Sequence, residues 1–392
     1  MIKFRKLKLI LFEILIVSTF LGGVNLNLGS DVGPIRLVRI AIFLLVFLVS
    51  LLILLQENRC VILDYAKVYT LFIIYSAVTI LWAPEKLFAA WKVFEITTIL
   101  MVFLINQNQK SQVILYLRFY QLIEVFIYGV LITGLIFPHK GFIPIAGSLL
   151  PYSLHGSIYT MNSNDLGFWS GLVFTLTLLR KPKISFRLII LGIIIILSQS
   201  RSYILLTFFV SMYIMIKARR GLIPYFIVLG LIMIILVFRN QVEMLITRGN
   251  INQIQNLHGR TYYWALGYSY FRKHWLIGNG FYTGHRFLYQ IFPNSDFSAS
   301  TFDSTWIDIL VDLGIVGGIL MLSYLLLIFK YIKKLKKSPI KTELLIGFLF
   351  LLIRSLTGPS FESFGLFLIL LLLTGYMANN LSRNHYINKS FF

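Results

Sequence analysis

The sequence is poor in charged residues and in cysteine. Only 13% of its 392 residues are charged and 58% are hydrophobic, so most helices would lack the polar face that a soluble domain of this size requires. The single cysteine, Cys60, excludes an intrachain disulfide. Acidic residues are also scarce, because 15 Asp and Glu stand against 36 Lys and Arg, a formal net charge of +21. We assign this excess to loops that set membrane orientation, not to binding of nucleic acid.

Motifs for nucleotide or metal chemistry are missing as well. The sequence has no GxxxxGK[ST] loop, no GxGxxG after a strand and no GxSxG elbow. Its histidines form no HxxxH or HxH pair. We therefore expect neither a nucleotide-using catalytic domain, nor a cofactor, nor a metal site.

The sequence does contain long apolar runs, which are too long and unbroken for barrel strands. They predict an all-α polytopic membrane protein, a single transmembrane domain over residues 1–392 with about twelve helices. The first run imitates a signal peptide, but it has no clear cleavage site and is interpreted as a retained first helix. The predicted spans lie near residues 7–25, 35–55, 64–82, 87–105, 113–137, 164–180, 186–200, 202–217, 222–239, 304–331, 342–358 and 362–380.

The basic clusters between these spans predict the orientation. They are "KFRKLK" at the start, "RKPKISFR" (180–187), "KARR" (217–220) and "KYIKKLKKSPIK" (330–341). All of them fall on one side of the membrane, which the positive-inside rule identifies as cytoplasmic. We therefore predict a multi-pass protein of the cytoplasmic (inner) membrane with both termini inside.

Two predicted external segments are longer than a connection requires: 138–163 and 240–303. The second, a large external loop, contains "RTYYWALGYSYFRKHWLIGNGF" (260–281), which predicts an interfacial helix followed by a turn at Gly278 and Gly280. The alternative is a plain amphipathic helix that covers the bundle, with its arginine reaching water. The residues expected on one helical face are Arg260, Trp264, Tyr268, Phe271 and Trp275.

Carboxylates follow this loop in "STFDSTWIDILVDLGIVGGIL" (300–320). Ser300 and Asp303 form a weak capping-box pattern, which predicts Asp303 in the first turn of the next helix. Asp308 and Asp312 lie one turn apart, deeper in the span, where an acid must face the protein interior or a wet cavity. Asp303 is either a functional acid at the external surface or a cap that only stabilises the helix.

Isolated basic residues also fall on the predicted external side. Arg201 lies at the end of the seventh span, beside the tight turn "SQSRS", and Arg354 lies in the external third of its helix. Glu362 is predicted to begin the last span. An arginine at such depth needs an anion, either an internal carboxylate or a ligand phosphate. For Arg354 the structural alternative is a pair with Glu362 or Asp312.

Four segments together resemble the O-antigen ligase and Wzy-type polysaccharide polymerase superfamily. They are "ILSQSRSYILL" (196–206), "GRTYYWALGYSYFRKHWLIGNGF" (259–281), "FDSTWIDILVDLGIVGGIL" (302–320) and "SIYTMNSNDLGFWSGL" (157–172). Each motif is short and loose, and their order and spacing carry the resemblance.

The resemblance implies a membrane-embedded, GT-C-like glycosyltransferase fold. It implies transfer of a glycan from an undecaprenyl-diphosphate donor to a hydroxyl outside the cytoplasmic membrane. Arg201 and Arg260 match the diphosphate-binding arginines, and Asp303 stands where the ligases have a proposed base histidine, a departure also seen among polymerases. The remaining candidate substrate-binding residues are Arg354, Trp264, Tyr268, Arg286, Asn164, Glu362 and His258.

Three functions remain open from the sequence. The first is a polymerase that joins lipid-linked repeat units into capsular or O-antigen polysaccharide. The second is a ligase that passes the finished glycan to an acceptor, and the third is a flippase or transporter of the lipid-linked oligosaccharide. The expected partners are the undecaprenyl-diphosphate-linked oligosaccharide and membrane lipids, with a chain-length regulator and a flippase as candidate protein partners.

Overall fold

The structure, a computed structural model, describes most of the chain as helix. The described residues are 2–20, 34–57, 64–107, 109–144, 150–157, 161–181, 185–217, 260–288 and 301–383. The predicted span at 222–239, the candidate residue His258 and much of the 240–303 loop lie outside them.

The described residues form the following helices. They are α1 Ile2–Phe20, α2 Pro34–Glu57, α3 Asp64–Val78, α4 Lys86–Ile105, α5 Gln109–Ile136, the one-turn α6 Pro138–Gly141, α7 Ser163–Arg180, α8 Phe186–Ser198, α9 Arg201–Lys217, α10 Arg260–Lys273, α11 Thr305–Lys334, α12 Pro339–Thr357 and α13 Leu366–Arg383. A 3-10 turn, Thr79–Trp82, extends α3. The tight turn expected at "SQSRS" is present between α8 and α9.

Among the described residues, four helices are long and apolar enough to cross a membrane: α2, α4, α5 and α11. Shorter apolar helices occur in α3 with its 3-10 turn, in α8 and in α13. The architecture is thus that of an all-α membrane protein, as predicted. The count of twelve spans and the GT-C-like arrangement stay predictions.

The segment 138–163 contains a small antiparallel sheet that was not predicted. Strand β1, Phe142–Pro144, pairs with β2, Tyr152–Leu154, and Ile143 lies opposite Ser153. In a chain dominated by apolar runs, two three-residue strands show no clear alternation of apolar and polar residues, so no pattern predicts them.

The chain divides into two compact units. Unit 1 combines Met1–Phe119 with Tyr262–Phe392, and unit 2 is Tyr120–Thr261. In unit 1, α11 packs against α3, α12 and α13, and α2 packs against α4. In unit 2, α7 packs against α8 and α9, and β2 contacts α8.

Candidate functional site

In unit 1, the residues after α10 dock against a break in α11. We call residues 274–288 the glycine segment. Helix α11 has a non-helical residue, Gly314, which interrupts its own ladder of hydrogen bonds. The glycine segment bonds to the groups on either side of the break. The backbone hydrogen bonds include Asn279 N–H to the Val311 carbonyl at 3.0 Å, Gly280 to Asp312 at 2.8 Å, Ile315 to Trp275 at 2.8 Å and Val316 to Leu276 at 3.4 Å.

Glycine is required on both sides of this contact. Gly278 has φ +71°, and a Cβ added there would lie 2.3 Å from the backbone oxygen of Asp312. Gly314 has φ +62°, and its Cβ would lie 2.4 Å from the backbone oxygen of Leu276. A side chain at either position would push the two backbones apart. The chain turns at Gly278 and Gly280, and this turn is buried against α11.

The Asp312 carboxylate holds the second half of the glycine segment. Its Oδ2 accepts the backbone N–H of Tyr282 at 2.8 Å, and its Oδ1 accepts the backbone N–H of His285 at 2.8 Å. The His285 ring also contacts it, with Nδ1 2.9 Å from both oxygens. This buried acid thus faces the protein interior, as expected, and its polar contacts serve to fold the segment.

His285 is buried beside two carboxylates. Burial alone lowers the pKa of an imidazole, but the attraction of Asp312 and Asp308 outweighs this effect and leaves the pKa of His285 raised. The neighbouring Arg286 opposes the rise. The raised pKa favours a positively charged His285 that pairs with Asp312.

Asp308 plays a similar part for the residues before α11. Its Oδ1 accepts the backbone N–H of Phe302 at 2.9 Å, and its Oδ2 accepts the Thr301 hydroxyl at 2.7 Å. Asp308, five residues after Asp303, therefore holds the residues before the helix, a role that the sequence pattern assigned to Asp303. Asp308 can do so because its two oxygens reach both donors.

The prediction that Asp303 lies in the first turn of the helix is wrong. The helix begins at Thr305, and Asp303 precedes it in the left-handed conformation, with φ 55°. The backbone N–H of Asp303 donates to Thr301 Oγ1 at 3.2 Å. Asp303 is half-buried and lies on a bend held by Asp308. A non-glycine residue in this conformation is uncommon and is often associated with function.

Glu362 was predicted to begin the last span, and this is also wrong. It lies in the connection between α12 and α13, which starts only at Leu366. Glu362 Oε2 accepts the Thr305 hydroxyl at 3.0 Å and the Ser360 backbone N–H at 2.8 Å. This connection is thereby tied to the first turn of α11. The preceding helix ends at Thr357, just before Gly358 and Pro359 and close to the predicted end at residue 358.

Arg354 lies in the last turn of α12 and is buried. Its guanidinium lies 5.1 Å from the centre of the Phe367 ring. The next residue, Ser355, accepts the indole N–H of Trp306 at 3.2 Å. The end of α12 is therefore also attached to the start of α11.

Helix α10 is present as predicted, but it ends at Lys273, so Trp275 lies beyond it. Its buried face agrees with the predicted one only at Phe271, which packs against a hydrophobic cluster. Tyr270 packs with Phe302 and Val311 in a hydrophobic cluster, with Tyr263 and Leu266 against it. Of the predicted face, Tyr268 is exposed and Trp264 is half-buried. The helix thus packs on the start of α11 through one face and presents Tyr268 on another.

In unit 2, Arg201 and Asn164 lie beside one turn. Arg201 is the first residue of α9 and is half-buried. Asn164, in the first turn of α7, accepts the Ser200 hydroxyl through its Oδ1 at 2.8 Å, and Asn162 caps α7. The side-chain amide of Gln199 donates to the Tyr152 carbonyl of β2 at 2.6 Å. The strand that the sequence did not predict therefore buttresses the turn that carries Arg201.

Sequence reasoning missed a buried set of ion pairs between α2 and α4 of unit 1. Glu95 is fully buried and accepts Arg39 Nη2 at 2.7 Å and Lys92 Nζ at 2.8 Å. The signal was available, because ionisable residues within predicted spans are costly and mark functional positions. Arg286, a candidate from the sequence, donates to the Tyr282 hydroxyl at 2.7 Å, and its guanidinium lies 4.4 Å from that ring.

Most of the candidates in unit 1 lie on elements that contact α11; these are Arg286, Asp303, Glu362, Arg354, Trp264 and Tyr268. Arg201 and Asn164 lie together in unit 2, and Arg260 is the first residue of α10. His258 lies outside the described residues.

The class of protein follows from these observations. A multi-pass helical membrane protein whose arginines, carboxylates and aromatic side chains gather at helix ends is suited to a substrate that is partly lipid and partly polar. Residues 186–322 match the family model described as O-antigen ligase. The match confirms the resemblance to the O-antigen ligase and Wzy-type superfamily and supports an enzyme that acts on polysaccharides. A search of curated proteins found no match.

Proposed function

We propose that this protein is a polysaccharide polymerase that uses an undecaprenyl-diphosphate-linked glycan as donor. The lipid-linked repeat unit that extends the chain is the acceptor, and transfer occurs on the external face of the cytoplasmic membrane. The observation that carries the proposal is the O-antigen ligase match over residues 186–322. That segment contains Arg201, Arg260 and Asp303, the three residues that we assign to the reaction.

The proposed step exchanges one bond at the anomeric carbon for another. The acceptor hydroxyl oxygen bonds to the anomeric carbon of the donor while the bond from that carbon to the phosphate oxygen breaks. The electron pair leaves with the polyprenyl diphosphate. Asp303, as carboxylate, takes the proton of the attacking hydroxyl. Its position on a bend held by Asp308 supports this role, because the bend fixes the direction of the side chain.

The two arginines are assigned to the leaving group. A guanidinium keeps its charge at every accessible pH and binds phosphate oxygens through paired hydrogen bonds. Negative charge grows on the diphosphate as the anomeric bond breaks, so a pre-placed arginine stabilises the transition state more than the bound donor. Loss of one such group typically lowers the rate by about 100- to 1000-fold.

A ligase is the second candidate, because the matching family is described as O-antigen ligase. The resemblance favours a polymerase in one respect: an aspartate, not a histidine, occupies position 303. A flippase remains the third possibility. The sequence shows no internal repeat, which many transporters have, and the arginines and Asp303 are chemical groups that transport alone does not require.

The test uses purified protein with lipid-linked repeat units in detergent. A polymerase releases undecaprenyl diphosphate and forms longer lipid-linked glycans from this single substrate. A ligase forms a product only after a separate acceptor is added. If neither product appeared while reconstituted vesicles translocated the lipid-linked glycan, the enzyme proposal would be abandoned.

The role of the arginine fork is tested at Arg260. We expect Arg260→Ala to abolish chain growth without reducing the amount of folded protein. Arg260→Lys should stay impaired, because an ammonium group cannot form the paired hydrogen bonds. The control is Arg118→Lys, since Arg118 is exposed and 3.7 Å from Glu13. Polymer of normal length from Arg260→Lys would contradict paired binding of the diphosphate.

A further inference from the structure

Three cations and one carboxylate meet near the beginnings of α2 and α4 in unit 1. We call Arg39, Lys92, Glu95 and Arg286, with the ring of Tyr282 between them, the basic cluster. Neither the sequence resemblance nor the proposed mechanism gives Arg39, Lys92 or Tyr282 a role. The cluster therefore calls for an explanation of its own.

Glu95 is the centre of the first half of the cluster. One of its oxygens accepts Arg39 Nη2 and the other accepts Lys92 Nζ, and the Trp91 indole N–H donates to it at 3.0 Å. The side chain of Glu95 is fully buried, and those of Lys92 and Arg39 are only 5% and 15% exposed. One carboxylate thus neutralises one of two largely desolvated cations.

Tyr282 joins the second half to the first. Lys92 Nζ lies 4.7 Å from the centre of the Tyr282 ring, and the Arg286 guanidinium lies 4.4 Å from it. The Tyr282 hydroxyl accepts Arg286 Nη2. Among the described residues, no carboxylate forms an ion pair with Arg286. Two like charges thus contact one ring, and an anion beside them would offset their repulsion.

The backbone conformation fixes the position of Tyr282. Tyr282 has φ 60°, an uncommon value for a non-glycine residue, and its N–H is held by Asp312 Oδ2 at 2.8 Å. The next aromatic contact, with Phe88 of α4, has its centroids 5.9 Å apart. This backbone conformation therefore presents the Tyr282 ring to both Arg286 and Lys92.

The depth of the cluster agrees with a phosphate group at a membrane surface. Arg39 and Lys92 lie five and six residues after the first residues of α2 and α4, so they are about 8–9 Å inside those ends. Both helices begin at this end, and a helix N-terminus favours negative charge. A guanidinium or ammonium at this depth can reach a headgroup whose hydrocarbon tail stays in the lipid.

We propose that the basic cluster binds the phosphate oxygens of a polyprenyl diphosphate. The proposal rests on the proposed function, and it adds Arg39, Lys92 and Arg286 to the residues that hold the lipid. Two phosphates supply the negative charge that Glu95 leaves unmatched, and the paired hydrogen bonds of Arg286 suit their geometry. A polymerase uses two such lipids, a donor and an acceptor, so the experiment must distinguish them.

The first measurement is binding of glycan-free undecaprenyl diphosphate to the purified protein in detergent. We expect Arg286→Gln and Lys92→Gln each to weaken binding at least about tenfold, as for loss of a charge-assisted hydrogen bond. The matched control is Arg118→Gln, which removes one exposed arginine far from the cluster in sequence. Inorganic pyrophosphate serves as competitor, and weak competition means that the site requires the lipid as well as the phosphates.

The Glu95→Gln variant separates ligand binding from a purely structural network. Removal of this carboxylate leaves the cations in excess, so an anion site should bind undecaprenyl diphosphate as tightly as before or more tightly. A structural network would instead lose thermal stability and binding together. If Arg286→Gln and Lys92→Gln do not fold, binding of undecaprenyl diphosphate is measured with Arg286→Lys and Glu95→Gln in their place.

Kinetics then identify which lipid occupies the cluster. A rise in the KM for donor, at saturating acceptor, assigns the cluster to the donor, and a rise in the KM for acceptor assigns it to the acceptor. Folded Arg286→Gln and Lys92→Gln proteins that bind the lipid within about twofold of wild type would overturn the proposal. If the wild type binds undecaprenyl diphosphate but forms no polymer, the proposed function fails while the site stands.

Discussion

The break in α11 gives the sharpest prediction about this protein, the effect of Gly314→Ala. Gly314 has φ 62° and ψ −164°, a backbone region that is essentially limited to glycine. An added Cβ would lie 2.4 Å from the Leu276 oxygen and 2.7 Å from the Gly278 nitrogen. Both neighbours are backbone atoms, so neither can move aside without displacing the glycine segment.

The magnitude follows from two costs. The strained conformation costs about 1–3 kcal/mol. Displacement of the glycine segment breaks at least one buried backbone hydrogen bond, such as Ile315 N–H to the Trp275 carbonyl at 2.8 Å, for about another 1–3 kcal/mol. We therefore expect Gly314→Ala to lower the free energy of unfolding by about 2–6 kcal/mol.

The assay is thermal unfolding in detergent, followed by tryptophan fluorescence. The control is Gly129→Ala in α5, where an added Cβ meets nothing within 4 Å. There alanine should leave stability unchanged or raise it by up to about 1 kcal/mol. An unfolding midpoint of Gly314→Ala equal to that of wild type would refute the docking of the glycine segment onto the break.

Three further predictions concern the carboxylates and His285. Asp312→Asn leaves the backbone N–H of Tyr282 or of His285 facing an amide donor, so the free energy of unfolding should fall by about 1–3 kcal/mol. An unchanged unfolding midpoint would contradict the role of Asp312 in holding the glycine segment. Burial lowers the pKa of His285, but Asp312 and Asp308 outweigh burial and Arg286 and leave the folded pKa raised. The contribution of His285 to stability is therefore complete below about pH 6.5, the unfolded value, and is lost as pH rises through the folded pKa. His285→Gln should therefore remove part of the fall in Tm above that pH. Asp303→Asn should lower turnover about 100-fold or more while donor binding persists, and near-normal turnover would assign the base elsewhere.

The site shows where sequence reasoning is weak. A capping-box pattern assigned a cap to Asp303, but Asp308 holds the bend, because a cap depends on which oxygen reaches the free N–H groups. A helical wheel put Trp264 and Tyr268 on the important face of α10. The buried face instead centres on Gly267 and Tyr270, because Gly267 allows close approach to Phe302 and Ile307.

Charged residues within the predicted spans indicate buried polar contacts more strongly than the capping-box and helical-face patterns do. Lys92 and Glu95 are three residues apart in an apolar helix, and Arg39 lies inside another. Any ionisable residue there needs a partner. The sequence could indicate that partners exist, but only the packing of α2 on α4 and the position of Tyr282 show which groups meet.

The sequence alone predicts a helical membrane protein that resembles the O-antigen ligase and Wzy-type superfamily. Hydrophobicity and run length are local properties, and the family motifs are short strings that need no fold to be recognised. Tertiary structure decided that the glycine segment fits into a break of α11, that Asp308 holds the bend carrying Asp303, and that Lys92 and Arg286 share one ring. The longest of these contacts, from Lys92 to the Tyr282 ring, joins residues about 190 positions apart, and the backbone conformations involved depend on the neighbour against which they pack.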